Sequence, residues 1–523
     1  MIILSEFTLP HLYAFPTTWL LAITLISATT VSYMVAVAIC RIYFHPLAHI
    51  PGPRLAAATH LYVFYHNGIR SGKLYLQTEK LHRRYGPVIR ISPTEIHLSD
   101  PANYNRIYHA GSLYTKPHAF YNTFISGNAF AIPINATAHA KRSAMAPLFS
   151  PKQVPELESI IQAKVKSLEN RIRTRLRTVG KINLQYALRA MSVDIITEYA
   201  SDNTSYGFLT REDFGKEYFV LARRMARFVW VFQQFPTLMG FLARVVPVWG
   251  VIQPLERRWT CKSCFDPILL GSEGVSDEYI GGGENKPIMK RWAMFRPVTI
   301  KGNNVPAVRD TKTEAYDALA VVSHTAGNPL TITAYNIVVN QEIYRMLATE
   351  LTRAFPDPKS EPTFAILEKL PFLTAVIQEG LRLSFGVLGR LPRVVPESGA
   401  EFNGYRVPAG TIVSMSSWMM HRNEELFPEP DKFDPSRWLD TKASNTILGQ
   451  YLVTFSKGSR QCTGMPLAYC EMYIALGRLF RHFDDLTIEK KSLEDLAYDD
   501  FFIPYHRPDK DMFCFAGSGS NQA

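Results

Sequence analysis

The sequence predicts a mainly α-helical fold with small β-sheets, an α+β class, carried behind an N-terminal transmembrane helix. Three observations lead there. Thr17 to Cys40 contains no charged side chain. Residues 153 to 250 and 314 to 351 carry mostly helical apolar periodicity. Strand-like runs are short and lie apart, at 85 to 99 and 404 to 419.

As a helix, Thr17 to Cys40 spans about 36 Å, enough for a tilted membrane crossing. A signal peptide would open on basic residues and carry a shorter apolar run. Here no Lys or Arg precedes Arg41, and basic residues follow it. The positive-inside tendency therefore predicts a lumenal segment at 1 to 16, a single span at 17 to 40 and a cytoplasmic body. The prolines of His45-Pro-Leu-Ala-His-Ile-Pro-Gly-Pro53 predict a stiff connector over 41 to 53, with the body at 54 to 523. Asn135-Ala-Thr and Asn203-Thr-Ser are glycosylation sequons in form, and a cytoplasmic body leaves them bare.

In the body, Tyr85 to Ser99 reads as two short strands joined at Ser92-Pro93. Phe228 to Leu255 mixes aromatics with prolines, which predicts a membrane-dipping or substrate-access segment. Residues 265 to 312, with Gly281-Gly-Gly-Glu-Asn-Lys286, read as an insertion. Glu314 to Leu351 is expected to form one long helix and Leu373 to Leu383 a second. Strand-like runs follow from Gly404 to Met419, and 420 to 450 reads as a Pro-rich meander. Pro329 should open the first helix, because its ring clashes with the carbonyl of Thr325 and removes that hydrogen bond.

Composition narrows the function. The chain has 523 residues, 47% of them apolar, ample for a large core. Its net charge of +11 is spread along the chain. That points to an anionic membrane surface or an acidic protein partner, and away from nucleic acid. Six cysteines in this length make no disulfide framework. Cys261 and Cys264 form a lone C-x-x-C with no second pair to complete a zinc site.

One cysteine stands out. Phe455-Ser-Lys-Gly-Ser-Arg-Gln-Cys-Thr-Gly464 sets Cys462 after a glycine-rich turn and just before an apolar helical pattern, Met465 to Phe480. Free N–H groups and the helix dipole stabilise a thiolate there. Gly458 and Gly464 are expected to allow tight turns around the sulfur. Arg460 is close enough to meet an anion. This combination suits a thiolate ligating haem iron. The stretch resembles the haem-binding loop of the cytochrome P-450 superfamily at Phe455, Gly458, Arg460, Cys462 and Gly464.

Other motifs extend the resemblance. Glu379-Gly-Leu-Arg382 puts a carboxylate and a guanidinium on one helix face. Phe433-Asp-Pro-Ser-Arg-Trp438 follows it. In the resembled family the Glu and Arg of the first motif lock with the Arg of the second, roles that fall to Glu379, Arg382 and Arg437. Leu381-Arg-Leu-Ser-Phe-Gly-Val-Leu-Gly-Arg-Leu-Pro-Arg393 is similar to the family strand beside the haem. The resemblance implies that Arg393, Arg460 and Arg142 meet the haem propionates. The Trp or His usual four residues before the last of these is Ala138 here. Counted from Asn340-Gln-Glu-Ile343, Val321-Val-Ser-His-Thr-Ala-Gly327 aligns Thr325 with the family threonine and His324 with its acid. Val321 and Val322 replace the small residue and glycine. A histidine can relay protons near neutral pH, so Thr325 and His324 are the expected catalytic pair.

The resemblance implies a P-450 fold with haem b between two long helices, its iron bound by Cys462. It is nearest to fungal microsomal enzymes of secondary metabolism similar to trichodiene oxygenase, on Tyr43-Phe-His-Pro-Leu47, Ile50-Pro-Gly-Pro53, Phe385 to Arg393 and Phe455 to Leu467. The implied reaction is monooxygenation of a hydrophobic small molecule, a terpenoid favoured, with O2 and electrons from NADPH through a flavoprotein reductase. The implied location is the endoplasmic reticulum membrane. The expected pocket is lined by Phe120, Phe124, Phe130, Val321, Val387 and Leu388. Two other readings stay open. A reductase-independent haem-thiolate isomerase or dehydratase would account for Val322 and His324, and a non-catalytic haem-binding membrane protein would need no substrate.

Overall fold

A computed structural model describes residues 17–121, 130–145, 153–200, 205–237, 324–357, 359–439, 447–488, 497–506 and 514–517. Phe124, Val321, Val322, Asn203, Cys261, Cys264 and the stretch 265 to 312 lie outside the described residues, as does most of Phe228 to Leu255.

Helix α1, Thr17–Ile39, runs on through a π-helical turn, Cys40–Phe44. Its window Trp19–Phe44 has a mean hydropathy of 2.0 and no buried share, so it is a candidate membrane anchor. The connector after it is not a free spacer. Leu47 and Ile50 are buried with Val88, Ile96 and Leu98. Arg90 ties it down by donating to the carbonyls of Arg41, at 2.9 Å, and Pro93, at 2.8 Å.

Helix α2, Leu74–Tyr85, leads into β1, Val88–Arg90, and β2, Glu95–Leu98. Two later strands, β3, Arg393–Val394, and β4, Ile412–Ser414, complete a four-stranded sheet in the order β1-β2-β4-β3. Pairing is antiparallel between β1 and β2, parallel between β2 and β4, and antiparallel between β4 and β3. This order carries Arg393 from far along the chain into the sheet begun by the N-terminal hairpin, one strand away from it. The strand-like run 404 to 419 ends early, because Ser417–His421 is a helical turn capped by the Ser416 hydroxyl.

The largest core joins α3, Val154–Val179; α4, Leu184–Ala200; α5, Gly327–Val339; α6, Gln341–Ala354; α7, Pro371–Ser384; and α8, Met465–His482. The helix expected from 314 to 351 is broken at Asn340 within its described part, 324 to 351. Asn340 leaves helical geometry at φ −102°, ψ 97°, and its side chain accepts from the N–H groups of Glu342 and Ile343. A side chain that caps the second helix ends the first. Pro329 acts as expected, since the helical run is interrupted at Ala326. Helices α5 and α7 cross closely at Gly380, where a Cβ would lie 1.8 Å from the Thr333 hydroxyl. A last hairpin, Tyr498–Phe501 with Ile503–His506, turns at Phe502 with φ 77°.

Candidate functional site

The cysteine turn is built by hydrogen bonds and by one glycine. The Cys462 N–H donates to the Phe455 carbonyl at 2.9 Å, closing the loop. Gly458 has φ 71°, and a Cβ there would lie 2.4 Å from the backbone of His109. Both the conformation and the contact exclude any other residue. Gly464 differs from expectation. Its φ of −82° is open to every residue, so no tight turn requires it. Space does not require glycine there either, since a Cβ would sit at an ordinary contact distance, 3.9 Å, from the Cys462 sulfur.

Cys462 is exposed, yet surrounding protein pushes its thiol up from the usual cysteine range. The N–H groups of Gly464 and Met465 and the charge of Arg142 pull the other way. A metal ion at this sulfur removes the proton outright, so the raised value is no obstacle to ligation. Arg142, on the helix Asn135–Met145, donates to the carbonyl of Gln461 beside it.

Above this turn the arginines meet. Arg393 is buried and donates to the Tyr121 hydroxyl and to its own Pro392 carbonyl, each at 2.9 Å. Arg460 donates to the carbonyls of Ile132, at 2.7 Å, and Phe130, at 3.2 Å. Burial lowers Arg460 to about 10, helped by Arg393 and Arg142. Burial likewise lowers Arg142. Among the described residues, neither Arg142 nor Arg393 has an ion pair with a carboxylate. Three converging cations near an accessible thiol fit a dianionic, thiolate-ligated macrocycle such as haem. Asn135 belongs to the same region. Its amide donates to the Ser112 carbonyl at 3.0 Å, so this sequon is structural.

The carboxylate knot forms as the motifs predict and is wider than they predict. Glu379 is fully buried and accepts from Arg382 at 2.8 and 2.9 Å and from Arg437 at 3.1 Å. It also accepts from the Trp438 indole at 2.9 Å and the Asp434 N–H at 2.9 Å. Arg382 donates onward to the carbonyls of His421, Pro430 and Lys432. His421 was not legible as part of this. Its Nδ1 meets the Arg382 carbonyl at 2.8 Å, and the Val453 N–H donates to its Nε2 at 2.9 Å. That pair of bonds fixes the neutral tautomer with the proton on Nδ1. Burial then holds His421 down at about 3. The knot thus reaches the segment leading to Phe455.

The oxygen-site pair is changed in one respect. Thr325 is half-buried one residue before the helix interruption. His324 is buried, with its ring 4.3 Å from that of Tyr505. Neither ring nitrogen has a hydrogen-bond partner among the described residues. Burial, with Arg189 nearby, holds it well below the ordinary histidine range. Burial therefore favours the neutral ring, which carries one N–H donor and one acceptor.

The pocket residues divide. Phe120 and Phe130 share a cluster with Tyr121, Trp230, Phe501, Phe502 and Tyr505. The rings of Phe130 and Phe502 are 5.5 Å apart. Phe502, at the tip of the last hairpin, was missed; the run Phe501-Phe-Ile-Pro-Tyr505 was its only signal. Leu388 is a correction, because it packs with Tyr75, Phe385, Trp418 and Tyr498 in a separate cluster. Its neighbour Val387 is half-buried, and its carbonyl accepts from the Ser417 hydroxyl.

Comparison with known proteins agrees with this geometry. The Cytochrome P450 family profile matches residues 303–507, a range that holds both Glu379 and Cys462. The chain is 31% identical to the cytochrome P450 monooxygenase MO6277 of Ascocoryne sarcoides, over 93% of this chain and 96% of that one. It is 31% identical to the cytochrome P450 monooxygenase TRI4 of Fusarium sporotrichioides, over 88% of each. It is 32% identical to the conidiogenone synthase PchP450 of Penicillium rubens, over 87% of this chain and 90% of that one. Likeness sustained across this much of the sequence makes the chain a member of the cytochrome P450 family, haem-thiolate monooxygenases, and sets it among the fungal enzymes of secondary metabolism.

Proposed function

We propose that the protein oxidises a hydrophobic biosynthetic intermediate, with a terpenoid favoured, and that Cys462 is the axial ligand of its haem. The observation that carries this is the accessible Cys462 residue with Arg142 acting on its thiol and with Arg393 and Arg460 gathered about Arg142. Haem b, when bound, supplies activation of O2 by two electrons and transfer of one oxygen atom into an unactivated C–H bond. The rest falls to the chain. Cys462 supplies the thiolate, with the N–H groups of Gly464 and Met465 directed at it. Arg142, Arg393 and Arg460 hold the propionates, and Phe455, Gly458 and Gly464 shape the turn. Glu379, Arg382 and Arg437 keep that turn in register. Phe120, Phe130 and Phe502 exclude water and bind an apolar substrate, joined by Phe124, Val321 and Val387. The Thr325 hydroxyl holds and passes a proton at the oxygen site. His324, kept neutral, positions the helix there.

Electrons come from NADPH through a flavoprotein reductase. The segment 17 to 40 crosses the endoplasmic reticulum membrane, with 1 to 16 lumenal and the catalytic domain in the cytoplasm. The likeness to a conidiogenone synthase and to other fungal monooxygenases supports a hydrocarbon-rich substrate. Expression beside a reductase and candidate terpenoid scaffolds, with products read by mass spectrometry, tests the reading. NADPH-dependent oxygen uptake with an oxygenated product is the expected result. Substrate conversion without oxygen uptake would favour the reductase-free isomerase, and no conversion of any scaffold would favour a binding protein.

A further inference from the structure

The last hairpin, Tyr498–Phe501 with Ile503–His506, has no third strand beside it among the described residues. A lone two-stranded hairpin is marginal in water, so its position depends on what ties it to the body. The strongest tie is one buried carboxylate. Asp499 takes Lys73 on Oδ1, at 2.8 Å, and Arg223 on Oδ2. Lys73 stands just before α2 and also donates to the Tyr498 carbonyl. Arg223 lies on the helix Lys216–Ala226 and also donates to the His506 carbonyl at 3.0 Å. Each cation therefore holds the backbone of one strand and the shared carboxylate at once.

The next residue fixes the tip. The Asp500 carboxylate accepts from the Phe502 N–H at 2.9 Å. Its own N–H donates to the Gly72 carbonyl at 3.1 Å, and its carbonyl accepts from the Trp230 indole at 2.6 Å. Phe502 has φ 77°, a conformation that a bulky residue keeps only where its surroundings over-determine it. The ring so placed stands 5.5 Å from that of Phe130 and 6.3 Å from that of Phe120. Asp499 touches none of these rings through its carboxylate, yet it decides where the strands that carry Phe502 lie. Without its charge, two cations lose the anion they share, and only neutral carbonyls are left to hold the strands.

We propose that Asp499 is a positioning residue for the substrate pocket. By joining Lys73 to Arg223 it holds the hairpin where Phe502 closes the aromatic cluster, and so limits the bulk of the ligand that the pocket takes. This rests on the reading above, in which Phe120, Phe130 and Phe502 wall the pocket of a haem enzyme. An apolar ligand offers no charge to Asp499, so the carboxylate acts through the Phe502 ring.

The test is spectral titration of the full-length haem-loaded protein with imidazole and with clotrimazole, two nitrogen bases that ligate haem iron and differ in bulk. The readout is the ratio of the imidazole to the clotrimazole dissociation constant, because general damage to the haem site weakens both. Asp499→Asn keeps the side-chain shape while removing the charge. It should raise the ratio about tenfold or more, the range of a hydrogen bond to a charged group, with imidazole binding unchanged. Phe502→Ala should raise the ratio in the same direction. In the Phe502→Ala background Asp499→Asn should add nothing, since the carboxylate acts through that ring. Arg223→Gln is the second variant, measured if Asp499→Asn does not accumulate, and should raise the ratio likewise. A ratio that stays level or falls in the neutral variant overturns the proposal. So does a full further rise in the Phe502→Ala background. If Phe502→Ala itself leaves the ratio level, the pocket reading is wrong and the proposal falls with it. If neither base shifts the Soret band of the unmodified protein, the haem reading fails.

Discussion

Glu379 receives five hydrogen bonds from Arg382, Arg437, Trp438 and Asp434, so no single donor accounts for it. Removing the carboxylate leaves a buried guanidinium uncompensated, a loss on the order of 3–5 kcal/mol. Glu379→Ala should therefore fail to accumulate as a haem protein. Arg437→Ala, at a site with 9% side-chain exposure, should lose less. The double variant should fall short of the sum, because the two share one oxygen. Normal haem content in Glu379→Ala would show that the knot is dispensable. Thr325→Ala should keep haem and substrate binding while NADPH oxidation yields released hydrogen peroxide in place of product. Unchanged coupling would move the proton-handling role elsewhere. At this scale the sequence was legible where residues lie close together. Glu379 and Arg382 are three apart, and Cys462 sits in a ten-residue pattern. Asp499, His421 and Phe502 were not, because each draws its meaning from a partner more than ten residues away. A lone aspartate in a sequence carries no sign that Lys73 and Arg223 will meet on it.

Element boundaries follow from single side chains that periodicity does not weigh. Asn340 splits the expected long helix because its side chain takes over the N–H groups of the next one. Ser416 does the same to the expected strand end. Apolar spacing over 314 to 351 stayed helical throughout, so only the capping geometry could locate the break. The Gly458 turn makes a sharper prediction. Gly458→Ala places a Cβ against the Tyr108 and His109 carbonyls and holds φ at 71°. The cysteine turn must then shift, and haem content should fall severely. Gly464→Ala meets only ordinary contact distances and should keep more haem than Gly458→Ala. The reverse ranking, read from haem-to-protein ratio, would mean that the loop is held differently.

At the scale of the whole molecule, the candidate anchor leads directly into the core. Leu47 and Ile50 are buried in the sheet cluster, so the stiff connector packs against the body. Deleting residues 1 to 40 should release the protein from membranes with its haem site intact. Deleting 1 to 53 removes both core side chains, each worth about 2–5 kcal/mol, and should lower the thermal midpoint sharply. Equal stability of the two truncations would contradict the burial. Acid should also weaken the fold. Burial holds His82 at about 4 and His421 and His506 at about 3. These folded values lie below the unfolded value near 6.5, so the unfolded chain binds more protons as pH falls. Stability is therefore full above pH 6.5 and declines toward pH 3 to 4, by about 2 kcal/mol per histidine between pH 7 and 5. A thermal midpoint that stays level across that interval would mean the three rings are not held neutral.

The reduced carbon monoxide spectrum of the full-length protein in membranes tests the account most directly, read beside Cys462→Ala and Cys470→Ala. Cys470 is buried on the following helix, where burial raises its thiol to about 12. The unmodified protein and Cys470→Ala should both give the Soret band characteristic of a thiolate-ligated haem, and Cys462→Ala should lose it. Persistence of that band in Cys462→Ala would contradict the assignment of the ligand, and with it the site built around this sulfur.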